Sequence, residues 1–405
     1  MIGHARILLL AVLITTTPTT LHAKPLLQSR SPQPTSTIVE ALQVSTVDRV
    51  QARSQPTSLA TTKPGTYVGP RVSPGHDNAS PNYPLDAHSG WRDGWVLLNL
   101  CVNADGHVSD AIIARSSGAP EFEKATLAAA KDYQFSPATL NGVPVEHCGH
   151  QLLVRFRLEN TPQGARSVFV RRWREARKSI ESKAFADAAK IISEMQPWNS
   201  YESARLAILR MTLAQANGGH DEILRHATEA LILDDNADAK GGLLEKRTVH
   251  DLRHIRFACE VALGRYAEAM ATYARLVRQH SQTPLEVDLY NKAIAVIDSE
   301  KAIATKGRLE QRADAENASP LWQTGLLRRE FEFSNLVGNF DHFELRCDYT
   351  RFVSPLNETS TWQVPASWGR CELLVFGASG ATLTLVEYPP AKTQSDDTAL
   401  AKDPR

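Results

Sequence analysis

The chain has 405 residues, and its 45 basic side chains balance its 45 acidic ones. A length of this size predicts two to four domains, because one domain takes roughly 100 to 200 residues. A formal net charge of zero provides no overall field to attract nucleic acid or anionic lipid, so nucleic acid is excluded as an expected partner. The most basic segment, residues 171–178, is interpreted as the solvated face of an amphipathic helix.

The first 23 residues have the layout of a signal peptide. Arg6 precedes a short apolar run at residues 7–14, and a polar stretch follows that ends at Ala23. The run is far below the roughly 20 residues needed to span a bilayer. We therefore expect cleavage near Ala23 and a periplasmic protein. The alternative is a retained signal anchor, which alone would bring the chain into contact with the membrane.

Residues 24–81 are predicted to be a linker or disordered. They are rich in Ser, Thr, Pro and Gln, and they contain one short apolar stretch, "TIVEALQVSTV", at residues 37–47. A composition of this kind does not bury enough apolar surface to fold by itself.

A small β-β-α-β unit is predicted to follow. The segments "DGWVLLNLCVN" and "HVSDAIIARSS" alternate around the turn at residues 104–106, which favours an antiparallel hairpin. A helix then begins at Pro120, with acidic residues in its first turn. Its predicted inner stripe is Phe122, Ala125, Ala129 and Tyr133. The segment "GVPVEHCGHQLLVRFRL" returns as the last strand.

Several short motifs within this unit resemble the C-terminal domain family of TonB, an energy transducer that contacts outer-membrane transporters. They are "YPLDA" at 83–87, Gly94, "DGHV" at 105–108, "SSG" at 116–118, "FSPA" at 135–138 and "NGVPV" before the last strand. The resemblance covers residues 82–160 and rests mainly on turn and core positions. It therefore implies a fold more strongly than a function.

What the resemblance implies is capture of an extended peptide by strand addition, in which backbone groups at a sheet edge pair with the incoming segment. The recognition surface would be the backbone of residues 145–158. The candidate edge residues are Val145, His147, Gln151, Leu153 and Arg155. The partner would be a TonB-dependent outer-membrane transporter or another envelope protein.

Two features separate this chain from a transducer. The N-terminal apolar segment resembles a cleavable signal rather than an anchor, and about 245 residues follow the TonB-like unit. A second hypothesis is therefore an envelope assembly or scaffold protein unrelated to transporter energisation. A third places an enzyme site in the C-terminal region, but no reactive motif supports it, and we expect a binding protein with no cofactor.

Four of the five cysteines are predicted to pair locally, Cys101 with Cys148 and Cys347 with Cys371, as export would permit. Cys101 has the opposite parity to the core residues of its strand, whereas Cys148 shares the parity of the core residues in its own. Their pairing therefore requires an irregularity, most simply at Gly149. Cys259 is predicted to be a buried, free cysteine.

Residues 165–312 are predicted to form degenerate helical repeats. Three segments share a polar or glycine turn followed by an apolar helix, and "LGRYAEAMATYARL" resembles a tetratricopeptide repeat at Leu263, Gly264, Tyr266 and Ala269. Stacked helical hairpins would offer a second protein-binding surface.

Residues 325–390 change character again, to short aromatic-rich strands broken by Gly, Pro and Asn, and predict a small β-domain. Residues 391–405 are predicted to be a disordered tail. The whole chain is therefore a multidomain α+β protein.

Four motifs suggest chemistry but have simpler interpretations. Residues 234–245 approximate a calcium loop, yet Ala239 stands where glycine is needed. His250 and His254 are spaced for one helix face, but they lack the glutamate of a zinc-protease motif. "EHCGH" at 146–150 loses its thiolate if Cys148 is oxidised. "GASG" at 377–380 lacks the spacing of a nucleophile elbow and is interpreted as a turn. We expect no metal site.

Overall fold

A computed structural model confirms the mixed α+β fold. It describes residues 39–42, 66–72, 78, 81–84, 93–157, 164–217, 219–235, 242–279, 282–311, 319–356 and 360–390. The predicted signal peptide, most of the predicted linker and the predicted tail lie outside these residues.

Three short strands lie within the segment predicted to be linker. They are β1 (Val39–Leu42), β2 (Tyr67–Val68) and β3 (Arg71–Val72). β2 pairs with residues 139–140 and β3 with residues 135–136. The linker prediction is therefore wrong for these residues. Their pairing partners lie far along the chain, so local composition could not reveal the strands.

The predicted β-β-α-β unit, called the module from here on, is present. Its elements are β4 (Gly94–Val102), β5 (Val108–Ser116), α1 (Pro120–Ala130), β6 (Phe135–Ser136), β7 (Ala138–Leu140), β8 (Val143–Val145) and β9 (His147–Phe156). The predicted last strand is divided in two, because β8 turns back on β7 before β9 begins.

Helix α1 packs across one face of the sheet formed by β9, β4 and β5. The core between them includes Val96, Leu98, Val154 and Phe156 from the strands. Phe122 stacks on Phe156 at a ring distance of 4.5 Å. A Cβ atom on Gly94 would lie 2.2 Å from the Phe122 ring, which explains why β4 begins with glycine.

The predicted inner stripe of α1 packs against the core but is incomplete. Phe122 and Tyr133 are buried, and Ala125 and Ala129 are half-buried against the same core. Three further residues lie inside, namely Glu123, Thr126 and Ala130. Glu123 is accommodated because its carboxylate accepts a hydrogen bond from the hydroxyl of Ser116. Tyr133 lies beyond the last residue of α1, so it does not continue the helical period.

Within the described residues, seven helices follow the module. They are α2 (Ser167–Glu181), α3 (Phe185–Ser193), α4 (Ser200–Asn217), α5 (His220–Asp235), α6 (Lys246–Ala262), α7 (Tyr266–Arg278) and α8 (Pro284–Ile297). Sequential helices pack on one another, and α4, α5 and α6 share an apolar core. Helical organisation is thus present, while a tetratricopeptide relationship stays a prediction. Cys259 is buried and free, as predicted.

The C-terminal region is a two-layered β-domain. Its strands are β10 (Ile303–Arg308), β11 (Leu321–Gly325), β12 (Glu330–Val337), β13 (Phe340–Cys347), β14 (Arg351–Ser354), β15 (Thr361–Gln363), β16 (Cys371–Gly377) and β17 (Thr382–Tyr388). One sheet has the order β10-β17-β12-β15 and the other β11-β16-β13-β14. Aromatic residues including Phe331, Phe333 and Phe343 fill the core.

The predicted boundary between helices and β-domain is wrong. β10 lies within the range 165–312 assigned to repeats, and β11 begins before residue 325. Ile303, Thr305 and Gly307 are buried while Ala304 and Lys306 are exposed, which is the period of a strand with one face inside. The alternation between apolar and polar residues is weak in the sequence, because the buried face carries Thr305 and Gly307.

Candidate peptide-binding edge

β9 lies next to the end of the module sheet, whose strand order is β1-β9-β4-β5. One side of β9 pairs with β4 over its whole length, from Gly94 opposite Phe156 to Val102 opposite His147. The other side of β9 is the edge for which the sequence predicts peptide capture. We call it the β9 edge.

A bulge at Gly149 shapes the start of the β9 edge. Leu100 lies opposite His150, but Cys101 lies opposite Cys148, so one residue of β9 is skipped in the ladder. Gly149 has φ 89°, a conformation that favours glycine. The slip places Cys148 on the face of Cys101, and the two form a disulfide. Both the pairing and the predicted irregularity are confirmed.

Helix α5 covers part of the sheet face opposite α1. Trp95, Leu97 and Leu153 pack there against Ile232 and Leu233 of the helix. All nine residues of β4 are buried as a result. The near-continuous apolar run "GWVLLNLCV" therefore reflects a strand that is covered on both faces.

The β-domain covers the rest of that face through a polar contact centred on Arg346. The guanidinium of Arg346 is fully buried and forms ion pairs with Glu344 and with Asp110 of β5. It also donates to the backbone oxygen of Asn99 at 3.3 Å, and the Asn99 amide donates to Glu372 at 3.1 Å. With one face under α1 and the other under α5 and the β-domain, recognition by the module sheet is limited to its edges.

Two of the predicted edge residues lie near the start of the edge, but in different strands. Val145 is the last residue of β8 and pairs with Ala138. His147 begins β9 and is buried, with its Nδ1 atom 2.7 Å from the Tyr67 hydroxyl oxygen and 3.2 Å from the backbone oxygen of Asp348. The His147 side chain therefore helps to join β2 and the β-domain to the module.

The other three predicted residues direct their side chains into the molecule. Gln151 lines a cavity between the module, the helices and the β-domain. Leu153 is fully buried, and Arg155 donates to the backbone oxygen of Leu233 at 3.0 Å. Since these side chains have internal contacts, β9 can offer a partner its backbone and few side chains, as the sequence predicts for strand addition.

The β9 edge is partly covered by β1 of the same chain. β1 pairs antiparallel with β9, with Val39 opposite Phe156, Glu40 opposite Arg155, Ala41 opposite Val154 and Leu42 opposite Leu153. No strand of the described part of the chain lies beside Gly149–Leu152 on this outer side. Val39–Leu42 lie within "TIVEALQVSTV", the one short apolar stretch of the segment predicted to be linker or disordered. The sequence does not predict that these residues pair with β9.

His150 lies behind the β9 edge as an uncharged residue. Its ring contacts Phe135 edge-on at 5.2 Å, and neither ring nitrogen has a hydrogen-bond partner among the residues that the structure describes. Burial, together with the neighbouring His147, lowers the pKa of His150 to about 4. The imidazole is therefore neutral at physiological pH and acts as part of the core.

The cavity that Gln151 lines is about 200 Å³ in volume and bordered by charged side chains of both signs. Asp235, at its edge, pairs with Arg253, Arg256 and Arg275. Burial opposes the charge of Asp235, but these arginines hold its pKa below the ordinary value. The charge of Asp235 is compensated by these three arginines, which favours a structural role for this carboxylate over a reactive one.

The remaining histidines and cysteines of the sequence motifs have contacts within the described part of the chain. The Nε2 atoms of His250 and His254 lie 2.9 Å apart, and no group of three metal-ligating side chains that could hold an ion occurs among the described residues. Cys148 is oxidised and does not provide a thiolate. Burial raises the pKa of the Cys259 thiol to about 12. Residues 236–241 of the candidate calcium loop lie outside the described residues.

The module can now be compared with known proteins. Residues 79–158 match the family described as Gram-negative bacterial TonB protein C-terminal. The module is similar to TonB C-terminal domains. Protein TonB of Vibrio cholerae serotype O1 is 35% identical over 79 residues, which are 20% of this chain and 32% of the Vibrio protein. The TonB-like module thus spans about a third of that relative and a fifth of this chain.

Among the helices that the structure describes, none is both long enough and apolar enough to cross a bilayer.

Proposed function

We propose that this chain is a TonB-like envelope protein that captures an extended peptide by strand addition at the β9 edge. The similarity of residues 79–158 to the TonB C-terminal family supports an envelope role. The observation that carries the mechanism is the pairing of β1 with β9, because it demonstrates an extended segment seated on this edge in antiparallel register. The function rests on binding and needs no catalytic residue or cofactor.

The partner we propose is an outer-membrane transporter or another envelope protein with an extended segment. The periplasm is the compartment in which such a partner, a cleaved signal peptide and the disulfides Cys101–Cys148 and Cys347–Cys371 would occur together. The helices α2–α8 would provide a second protein-binding surface.

The test is titration of the full chain from residue 24 with fluorescent peptides taken from the N-terminal segments of the same organism's outer-membrane transporters. Fluorescence anisotropy would measure affinity, and backbone amide shifts of residues 149–156 would locate the site. We expect saturable binding with shifts concentrated along β9.

A control for strand addition uses N-methylated peptides. Methyl groups on alternate peptide nitrogens remove either the donors that face β9 or those that face away from it. One methylated series should lose binding and the other should retain it. Equal binding by both methylated series would contradict strand addition. Peptide capture would be rejected if no peptide bound either to the unmodified chain or to a variant in which β1 cannot pair with β9.

A scaffold role is the second candidate, and the burial of the module's second face favours it. Since α5 and the β-domain cover Trp95, Leu97 and Asn99, the module is built into the rest of the chain. In that case the chain would hold envelope proteins together through its helices and would leave the transporter peptides unbound.

A further inference from the structure

We propose that β1 is an internal competitor for the β9 edge, and that a partner peptide binds by displacing it. The proposal rests on the proposed function, since it concerns what that same edge accepts. It deepens the function by specifying the ligand class, an extended segment that runs antiparallel to β9, and by making capture conditional on release of Val39–Leu42.

The pairing geometry is the first argument. β1 covers residues 153–156 of β9 in an unbroken antiparallel register. The half of the edge at Gly149–Leu152 has no strand beside it among the described residues. A peptide could therefore begin pairing at Gly149–Leu152 and advance along β9 to residues 153–156, where it would replace β1.

The shortness of β1 is the second argument. It has four residues, so few backbone hydrogen bonds join it to β9, whereas β4 pairs with β9 along the entire strand. A longer incoming segment would make more ladder bonds than β1 does. β1 is thus the neighbour of β9 that can be exchanged, and β4 is the neighbour that cannot.

The attachment of β1 is the third argument. Residues 43–65 join it to β2 and are rich in Ser, Thr and Pro, a composition typical of linkers. A tethered segment acts as a ligand at high effective concentration, commonly millimolar. Even a weak intramolecular strand would then reduce the apparent affinity for a free peptide, because only the fraction of molecules with an open edge can bind.

The register also describes the preferred peptide. Val39 and Ala41 lie opposite Phe156 and Val154, and Glu40 lies opposite Arg155. Proline within the paired segment would not be tolerated at the positions whose N–H groups face β9.

The binding test compares two double-proline variants of the full chain. Glu40→Pro with Ala41→Pro removes the pairing of β1, and Ala52→Pro with Arg53→Pro places the same change in the linker as a matched control. We expect the first variant to bind transporter peptides about tenfold more tightly than the unmodified chain, and the control to be unchanged. Affinities within twofold of each other in all three proteins would overturn the proposal while leaving peptide capture intact.

A second test needs no peptide, so it tests the pairing of β1 with β9 independently of peptide capture. Glu40→Cys with Arg155→Cys places thiols at paired positions, and Glu40→Cys with Lys131→Cys places one at an exposed site after α1. We expect an internal crosslink in the first protein, seen by mass spectrometry of tryptic fragments, and not in the second. No crosslink, or crosslinked dimers in which the strand comes from another copy, would overturn the proposal.

The peptide titration and the crosslink together distinguish failure of peptide capture from failure of competition by β1. An internal crosslink with no peptide binding in the double-proline variant would retain the pairing of β1 and reject peptide capture, so β1 would not be a competitor. The crosslink should also block peptide binding in the oxidised protein. Peptide binding should return when the crosslink is reduced. The single variant Arg155→Cys controls for loss of the contact between Arg155 and Leu233.

Discussion

Glu387 is a buried carboxyl group in the β-domain whose protonation should affect stability. Its side-chain oxygen accepts backbone hydrogen bonds from Leu327 and Arg328 at 2.8 and 2.9 Å. Burial raises the pKa of Glu387 to about 7, from an ordinary value of 4.5. Between these values the folded protein binds a proton that the unfolded chain has released.

We therefore expect the free energy of unfolding to fall as the pH rises from 4.5 through 7, by on the order of 3 kcal/mol from this group. Glu387→Gln keeps an oxygen acceptor and cannot ionise. The free energy of unfolding of this variant should therefore not show the fall between pH 4.5 and 7. Urea unfolding at pH 5, 6, 7 and 8 would measure the difference. Parallel pH profiles for the two proteins would contradict the assignment.

Residue-level prediction succeeded where covalent chemistry constrained the geometry. The opposite parities of Cys101 and Cys148 required an irregular ladder, and the flexible residue beside them, Gly149, supplies it. It failed where the partner of a buried polar residue lies in another element. Glu123 accepts a hydrogen bond from Ser116 of β5. Arg346 pairs with Asp110 and donates to the backbone oxygen of Asn99, and periodicity within one element does not predict such partners.

At the scale of elements, the disulfide between β4 and β9 holds the β9 edge to the rest of the sheet. It joins residues that are 47 apart in sequence, for which chain entropy suggests a contribution of about 4 kcal/mol. Cys101→Ser with Cys148→Ser should lower the free energy of unfolding by an amount of this order, measured by urea unfolding. The reduced, unmodified chain should be less stable as well, and an unchanged midpoint would show that the ladder suffices without the bond.

Elements with a strong internal period were predictable, and elements defined by a distant neighbour were not. The hairpin of β4 and β5 follows from alternation around a short turn. β10 was assigned to helices because its buried face carries Thr305 and Gly307, which have little hydrophobic signal. β1, with four residues, exists as a strand only through its pairing with β9, so its sequence alone could show an apolar stretch and no more.

At the scale of the whole molecule, the module is one part of a continuous packed body. Trp95, Leu97 and Leu153 would become exposed if the module were separated from α5. We expect a fragment of residues 82–160 to self-associate at concentrations where the full chain is monomeric, since large exposed apolar patches promote association. Sedimentation velocity would compare the two.

A matched fragment with Leu97→Ser would test the cause, because it reduces the apolar surface while leaving the α1 side of the core intact. A monomeric, well-folded unmodified fragment would show that the module does not depend on the helices. That outcome would weaken the scaffold hypothesis, which relies on integration of the module with the rest of the chain.

The order of regions along the chain was predictable from sequence, but their packing was not. Composition changes located the module, the helices and the β-domain, with errors at the boundaries. The contacts of Arg346 with β4 and β5, and of α5 with Leu153, join residues far apart in the chain. Such contacts depend on the complementary shapes of folded surfaces, which periodicity does not describe.

The antiparallel ladder between β9 and β4 also has a mechanical consequence. Tension applied along a peptide paired with β9 would act parallel to the strands and perpendicular to the hydrogen bonds. The bonds would then share the load in shear rather than break one after another, as they would if a strand were peeled away. The bond between Cys101 and Cys148 would keep one end of β9 covalently tied to β4, so a pulled partner would detach before the sheet came apart.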